Sequence, residues 1–287
     1  MRMKIFKTVA LVLLIFAMQP FPAGAVPPER PKLAAAAAAG EDLLELDTSS
    51  VSAFSRELRK HYAISLKDNN SYLSGIGGKK MMDEISLCLS LFSPEFIKRM
   101  VDYYSKEHSS FFTLEIVKPS NSYYAYVEWG TNIKICLAYN SNNERNGVKA
   151  SVLAHELGHM VHFISEDYMR KARIKLDLME INGKFSYVGD KYRRDWNEYR
   201  HGTTFVRSYS LYSHYEDVAT IFEELVGDPE SMQERLNDPL NASLRKKVEY
   251  IRDMTYNCIS DECSALFAPL EEDDSAYWKI ESLPKAS

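Results

Sequence analysis

Two histidines and a glutamate at fixed spacing carry the strongest chemical signal in the chain: His155-Glu156-Leu157-Gly158-His159. Residues four apart stand on one face of a helix, so both imidazoles can reach the same ion. Imidazole pairs of this kind bind zinc, and Glu156 stands beside them, able to take a proton from water that the ion polarises. The same carboxyl can then hand the proton to a leaving amine, acting first as base and then as acid. In a chain of 287 residues with 7 histidines, chance supplies this pattern only about 0.014 times. The spacing predicts zinc-assisted hydrolysis, with His155 and His159 as metal ligands and Glu156 as the catalytic base.

Zinc needs a third protein ligand in such a site. His162 shares the helix face of His155 and His159, but three ligands on one straight helix splay along its axis. It is therefore expected to pack beside the site. The pattern that adds Gly three residues and His six residues after the second histidine fails, because His162 and Ser165 stand there. A downstream helix is the better source: Glu216-Asp217-Val218-Ala219-Thr220-Ile221-Phe222-Glu223-Glu224-Leu225. Val218, Ala219, Phe222 and Leu225 fit one buried face, with Glu216 about a turn ahead of it near the helix start. Glu216 is the leading third ligand, and Asp217 stays open as a ligand or as a partner to a zinc-bound imidazole. Glu223 and Glu224 are expected on the solvated face. Glu224 and Asp228 match an ExxxD spacing, but Gly227-Asp228-Pro229 is a helix stop.

These residues resemble the gluzincins, and specifically the anthrax-lethal-factor-like and Pro-Pro endopeptidase-like catalytic domains. Such domains carry HExxH on one helix and a Tyr seven residues before the Glu that completes the zinc site. Here Tyr209 stands seven residues before Glu216. The resemblance covers roughly residues 133–225 and implies a zincin-like metallopeptidase with one catalytic Zn2+. It gives Tyr209 the task of supporting the oxyanion, with Tyr212, Tyr215, His201 and His214 as rivals. It also implies a protein or peptide substrate held extended along the 133–139 strand. One position departs from the pattern: Thr220 stands where those domains have a further Glu.

The elements that must position these side chains are legible from periodicity. Helices are predicted near 51–62, 80–91 and 94–106, the last with Ser93 as cap, Pro94 at the first position and Glu95 in the first turn. Three strands follow at 111–117, 123–129 and 133–139, rich in β-branched and aromatic residues, the last two as a hairpin. The HExxH helix should run over 148–168, and further helices over 215–226, 229–236 and 241–257. The predicted fold class is α+β: a small mixed sheet, the HExxH helix and a mainly helical C-terminal part. The expected catalytic domain spans 51–263, followed by an acidic tail over 264–287.

The N-terminus has the three-part layout of a secretory signal: Arg2, Lys4 and Lys7, an apolar stretch, then Ala23-Gly24-Ala25. Cleavage is expected after Ala25, followed by a Pro/Ala-rich spacer over 26–50. Eleven mostly apolar residues from Thr8 to Met18 fall short of the ~20 a spanning helix needs, so no stable membrane insertion is expected. Losing the three basic residues of the leader takes the net charge from −5 to −8. That acidity, without a Lys/Arg run, disfavours nucleic acid as a partner. The four cysteines, in a chain expected to be secreted, allow two disulfides, with Cys258–Cys263 and Cys88–Cys136 as the suggested pairing. A secreted zinc metalloendopeptidase is the leading functional expectation. The alternatives are a non-catalytic zincin-fold binding module and a metal-dependent amidase acting on cell-wall peptide.

Overall fold

The computed structural model describes residues 44–107, 112–118, 125–128, 133–138, 149–169, 171–183, 187–191 and 204–270. The signal and most of the spacer, His201 and the tail beyond 270 lie outside the described residues.

Helix α1 (Val51–Tyr62) starts where Ser50 accepts a hydrogen bond from the Ala53 N–H. Strand β1 (Ser65–Lys67) leads to α2 (Gly78–Ser90) and α3 (Pro94–Glu107). As expected, Ser93 caps α3, its Oγ accepting from the Phe96 N–H at 3.0 Å. Strands β2 (Phe112–Val117), β3 (Ala125–Glu128) and β4 (Ile133–Ala138) complete a four-stranded mixed sheet ordered β1-β2-β4-β3. β1, β2 and β4 run parallel, and β3 pairs antiparallel with β4 with Val127 opposite Ile135. Alternation in β2 buries Phe112, Leu114 and Ile116 on one face.

The helical part consists of α4 (Ala150–Met169), α5 (Lys171–Asn182), α6 (His214–Gly227), α7 (Pro229–Asn237) and α8 (Ala242–Cys258). Among the described elements, α4 and α6 form the most extensive packing pair. Gly158 allows this approach: a Cβ there would lie 2.9 Å from the Cα of Ala219 and 3.1 Å from the Phe222 ring. α6 is held at its start by Ser213, whose side chain accepts from the Glu216 N–H. It stops at Gly227, and Asp228 then caps α7 with Pro229 in its first turn.

The common buried core takes in Leu46 before residue 51 and Leu266, Phe267 and Leu270 beyond residue 263. Two expectations are corrected here. All four cysteines are free thiols. Cys88 is buried with Ile133, Ile135 and Leu137, and strand alternation turns Cys136 to the opposite face of the sheet. Cys263 points its thiol at the Ser260 carbonyl, 3.8 Å away, and Cys258 closes the last turn of α8. Finally, β4 is an interior strand, hydrogen-bonded to β2 on one side and β3 on the other. Neither of its edges is open to pair with an extended peptide; among the described strands the outer edge on that side belongs to β3.

Candidate metal centre

The α4/α6 contact brings His155, His159 and Glu216 together. Their ligating atoms all lie within 4.8 Å of one another, and all three residues are buried. His155 Nε2 is 3.1 Å from Glu216 Oε2, and His159 Nε2 is 3.6 Å from Glu216 Oε1. A tetrahedral zinc ion with bonds of about 2.0–2.1 Å sets its ligand atoms roughly 3.3 Å apart, so the separations suit that ion. Both carboxylate oxygens of Glu216 are buried and accept no hydrogen bond. A carboxylate so placed is costly unless a cation meets it, and two imidazoles face it across the space a cation would fill.

The orientation of His155 is set from behind. Its Nδ1 lies 3.0 Å from Glu223 Oε2, and Glu223 in turn accepts from Arg207 Nη1 at 2.6 Å. Arg207 also donates through Nε to Glu224 at 2.9 Å. Burial works against the Glu223 charge, but its bonds to His155 and Arg207 hold the carboxyl below its usual range. An ionised Glu223 obliges Nδ1 to carry the proton, which leaves the Nε2 lone pair directed at the ion site.

The same surroundings divide the two histidines. Burial alone would lower the His155 pKa, yet Glu216 and Glu223 on its two sides raise it to about 10. His159, also buried but with less compensation, falls to about 4. A proton and a divalent cation therefore compete for His155, while His159 offers a neutral imidazole at physiological pH. Glu156 is buried on the same helix, and desolvation, reinforced by Glu216 and Glu223 and opposed by His155, pushes its carboxyl up to about 8.

Other residues singled out by the sequence are placed as follows. Tyr209 lies in a 3₁₀ turn (Ser208–Leu211) with its ring 6.2 Å from and nearly parallel to that of His155. Tyr212 stands behind it, with ring centres 6.0 Å apart. His162, His214 and Tyr215 gather elsewhere, around Glu166. Asp217 is neither ligand nor imidazole partner; it accepts from Lys247 Nζ at 2.7 Å and from the Tyr187 hydroxyl at 2.8 Å. Thr220 donates back to the Glu216 carbonyl and touches Ser210, joining the Tyr209 turn to α6.

The expectation for Glu223 and Glu224 is overturned. Glu223 is 4% exposed and is the partner of His155, while Glu224 is half-buried against Arg207. The available signal was the seven-residue spacing from Glu216 to Glu223, two helical turns along one face. The apolar stripe misled because α6 is buried on nearly every side.

No protein-family model and no curated protein matches this chain. Its structure is similar to that of a protein from Bacteroides caccae ATCC 43185 proposed to be a zinc-binding metallo-peptidase. The TM-score is 0.51 at 15% sequence identity, covering 76% of this chain and 89% of that one. The likeness establishes the fold, α+β with a small mixed sheet and a mainly helical remainder, and in this chain one of those helices carries His155 and His159 of the candidate metal cluster.

Proposed function

We propose that this protein is a secreted zinc metalloendopeptidase. The observation that carries this reading is the buried His155–His159–Glu216 cluster with Glu156 beside it on the same helix. A purely structural ion site has no use for a further buried carboxyl, Glu156, directly beside its ligands on the same helix. The fold it shares with a proposed metallo-peptidase adds support.

When bound, zinc supplies Lewis acidity towards the scissile carbonyl and lowers the pKa of water. His155, His159 and Glu216 would hold it, and Glu223 keeps His155 in the ligating tautomer. Glu156 takes a proton from the attacking water and delivers it to the departing amine. Tyr209, beside His155, donates its hydroxyl to the oxygen on which negative charge develops. The extended substrate adds to the sheet at β3, the outermost of the described strands on that side, which packs directly against α4.

The test is mass-spectrometric profiling of a diverse peptide library digested by the zinc-loaded protein and by its Glu156→Ala variant. Internal cuts made only by the wild type are the expected result. Identical cleavage by both proteins, or none by either, would contradict the proposal.

A further inference from the structure

Among the described residues a second group meets the geometric requirements of a metal site: His162, Glu166 and His214. His162 Nε2 and His214 Nε2 each lie 3.7 Å from Glu166 Oε1. These separations are close to the roughly 3.3 Å edge of a tetrahedral zinc site. His162 is fully buried, yet neither of its ring nitrogens makes a hydrogen bond. An imidazole buried in this way costs free energy unless something occupies its lone pair. The Tyr215 hydroxyl donates to both oxygens of Glu166, at 3.0 and 3.3 Å, the kind of support that orients a ligating carboxylate. His214 is partly exposed, which leaves a route for an ion to enter.

From this geometry we infer a second divalent-cation site, of the zinc class, formed by His162, Glu166 and His214. The donor set of two imidazoles and one carboxylate is that of the first cluster, and it selects a borderline transition ion over calcium or magnesium. The same two helices build both sites: α4 supplies His162 and Glu166 about two turns beyond His155 and His159, and α6 supplies His214 two residues before Glu216. The midpoints of the α4 ligand pairs are seven residues apart, roughly 10 Å at ~1.5 Å per residue. That is too far for two ions to share a reacting oxygen, which takes about 3.5–4 Å. The second ion therefore acts as a clamp. It ties the first residue of α6 to the C-terminal half of α4 and so fixes the helix start from which Glu216 projects.

The inference does not depend on peptidase activity. Its test is zinc content per chain after saturation and dialysis, by plasma mass spectrometry, for wild type, His155→Ala, His214→Ala and the double variant. The expected values are two, one, one and none. His214→Ala, at a partly exposed position, should stay folded by circular dichroism, and zinc should raise its melting temperature less than that of wild type. One zinc in both wild type and His214→Ala would overturn the second site and leave the first intact. One zinc in wild type and His155→Ala, with none in His214→Ala, would uphold the second site and overturn the first. No zinc in the folded wild type would overturn both.

Discussion

Glu156, Tyr209 and Glu223 touch different parts of the proposed chemistry, so their substitutions should fail in different ways. Glu156→Ala removes a proton carrier but no ligand. Zinc content should be unchanged while kcat falls by about 10²–10⁴-fold. Tyr209→Phe keeps the ring against His155 and loses one donor to the oxyanion, so kcat should fall about 10²–10³-fold with KM little changed. Glu223→Ala leaves the His155 tautomer unfixed, and zinc affinity should weaken by about 10–100-fold, measured by chelator competition. Equal zinc affinity in wild type and Glu223→Ala would remove it from the site. Among single residues, His155 and His159 were legible because helical spacing puts them on one face with Glu156 beside them, and Glu216 from its place near the start of a downstream helix. Glu223 was not, since α6 has no truly solvated side to contrast with its buried one.

The α4/α6 pair positions the whole metal cluster, and at Gly158 the two helices approach closely. Gly158→Ala gains about 1 kcal/mol of helix propensity but drives a methyl group into the backbone of Ala219. Overpacking of that kind costs about 1–3 kcal/mol. The variant should melt below wild type and bind zinc more weakly, because the helices carrying the ligands must separate. A more thermostable Gly158→Ala would show that the contact is loose. A second tie between elements is the fully buried pair of Lys247 on α8 and Asp217 on α6, with Lys247 Nζ also 4.1 Å from the Phe205 ring centre. Lys247→Met strands the Asp217 carboxylate and should cost about 3–5 kcal/mol in urea unfolding. Adding Asp217→Asn should recover part of that loss. Periodicity placed most helices and the β3/β4 hairpin within a few residues. It missed β1, whose three residues are too few to show a period, and α5, where Ile174 and Leu178 are the fully buried pair. The order of the sheet, and hence which edge is free, is a long-range property that no local pattern encodes.

At the level of the whole molecule, a core running from Leu46 to Leu270 joins the sheet to the helices, and the two candidate metal clusters lie on the helix pair within that body. Metal binding should therefore register as global stability. Zinc at a thousandfold excess over its Kd adds about 4 kcal/mol for one site, so chelation should lower the melting temperature and zinc should restore it. A melting temperature indifferent to chelator would mean that the clusters do not bind metal in the folded state. Among the described residues no helix is long and apolar enough to cross a membrane. Whether α4 and α6 enclose a metal centre is visible in anomalous diffraction at the zinc edge on zinc-soaked crystals. The expected peak lies within bonding distance of His155 Nε2, His159 Nε2 and a Glu216 oxygen. A zinc-saturated crystal with no peak at those three atoms would rule that centre out.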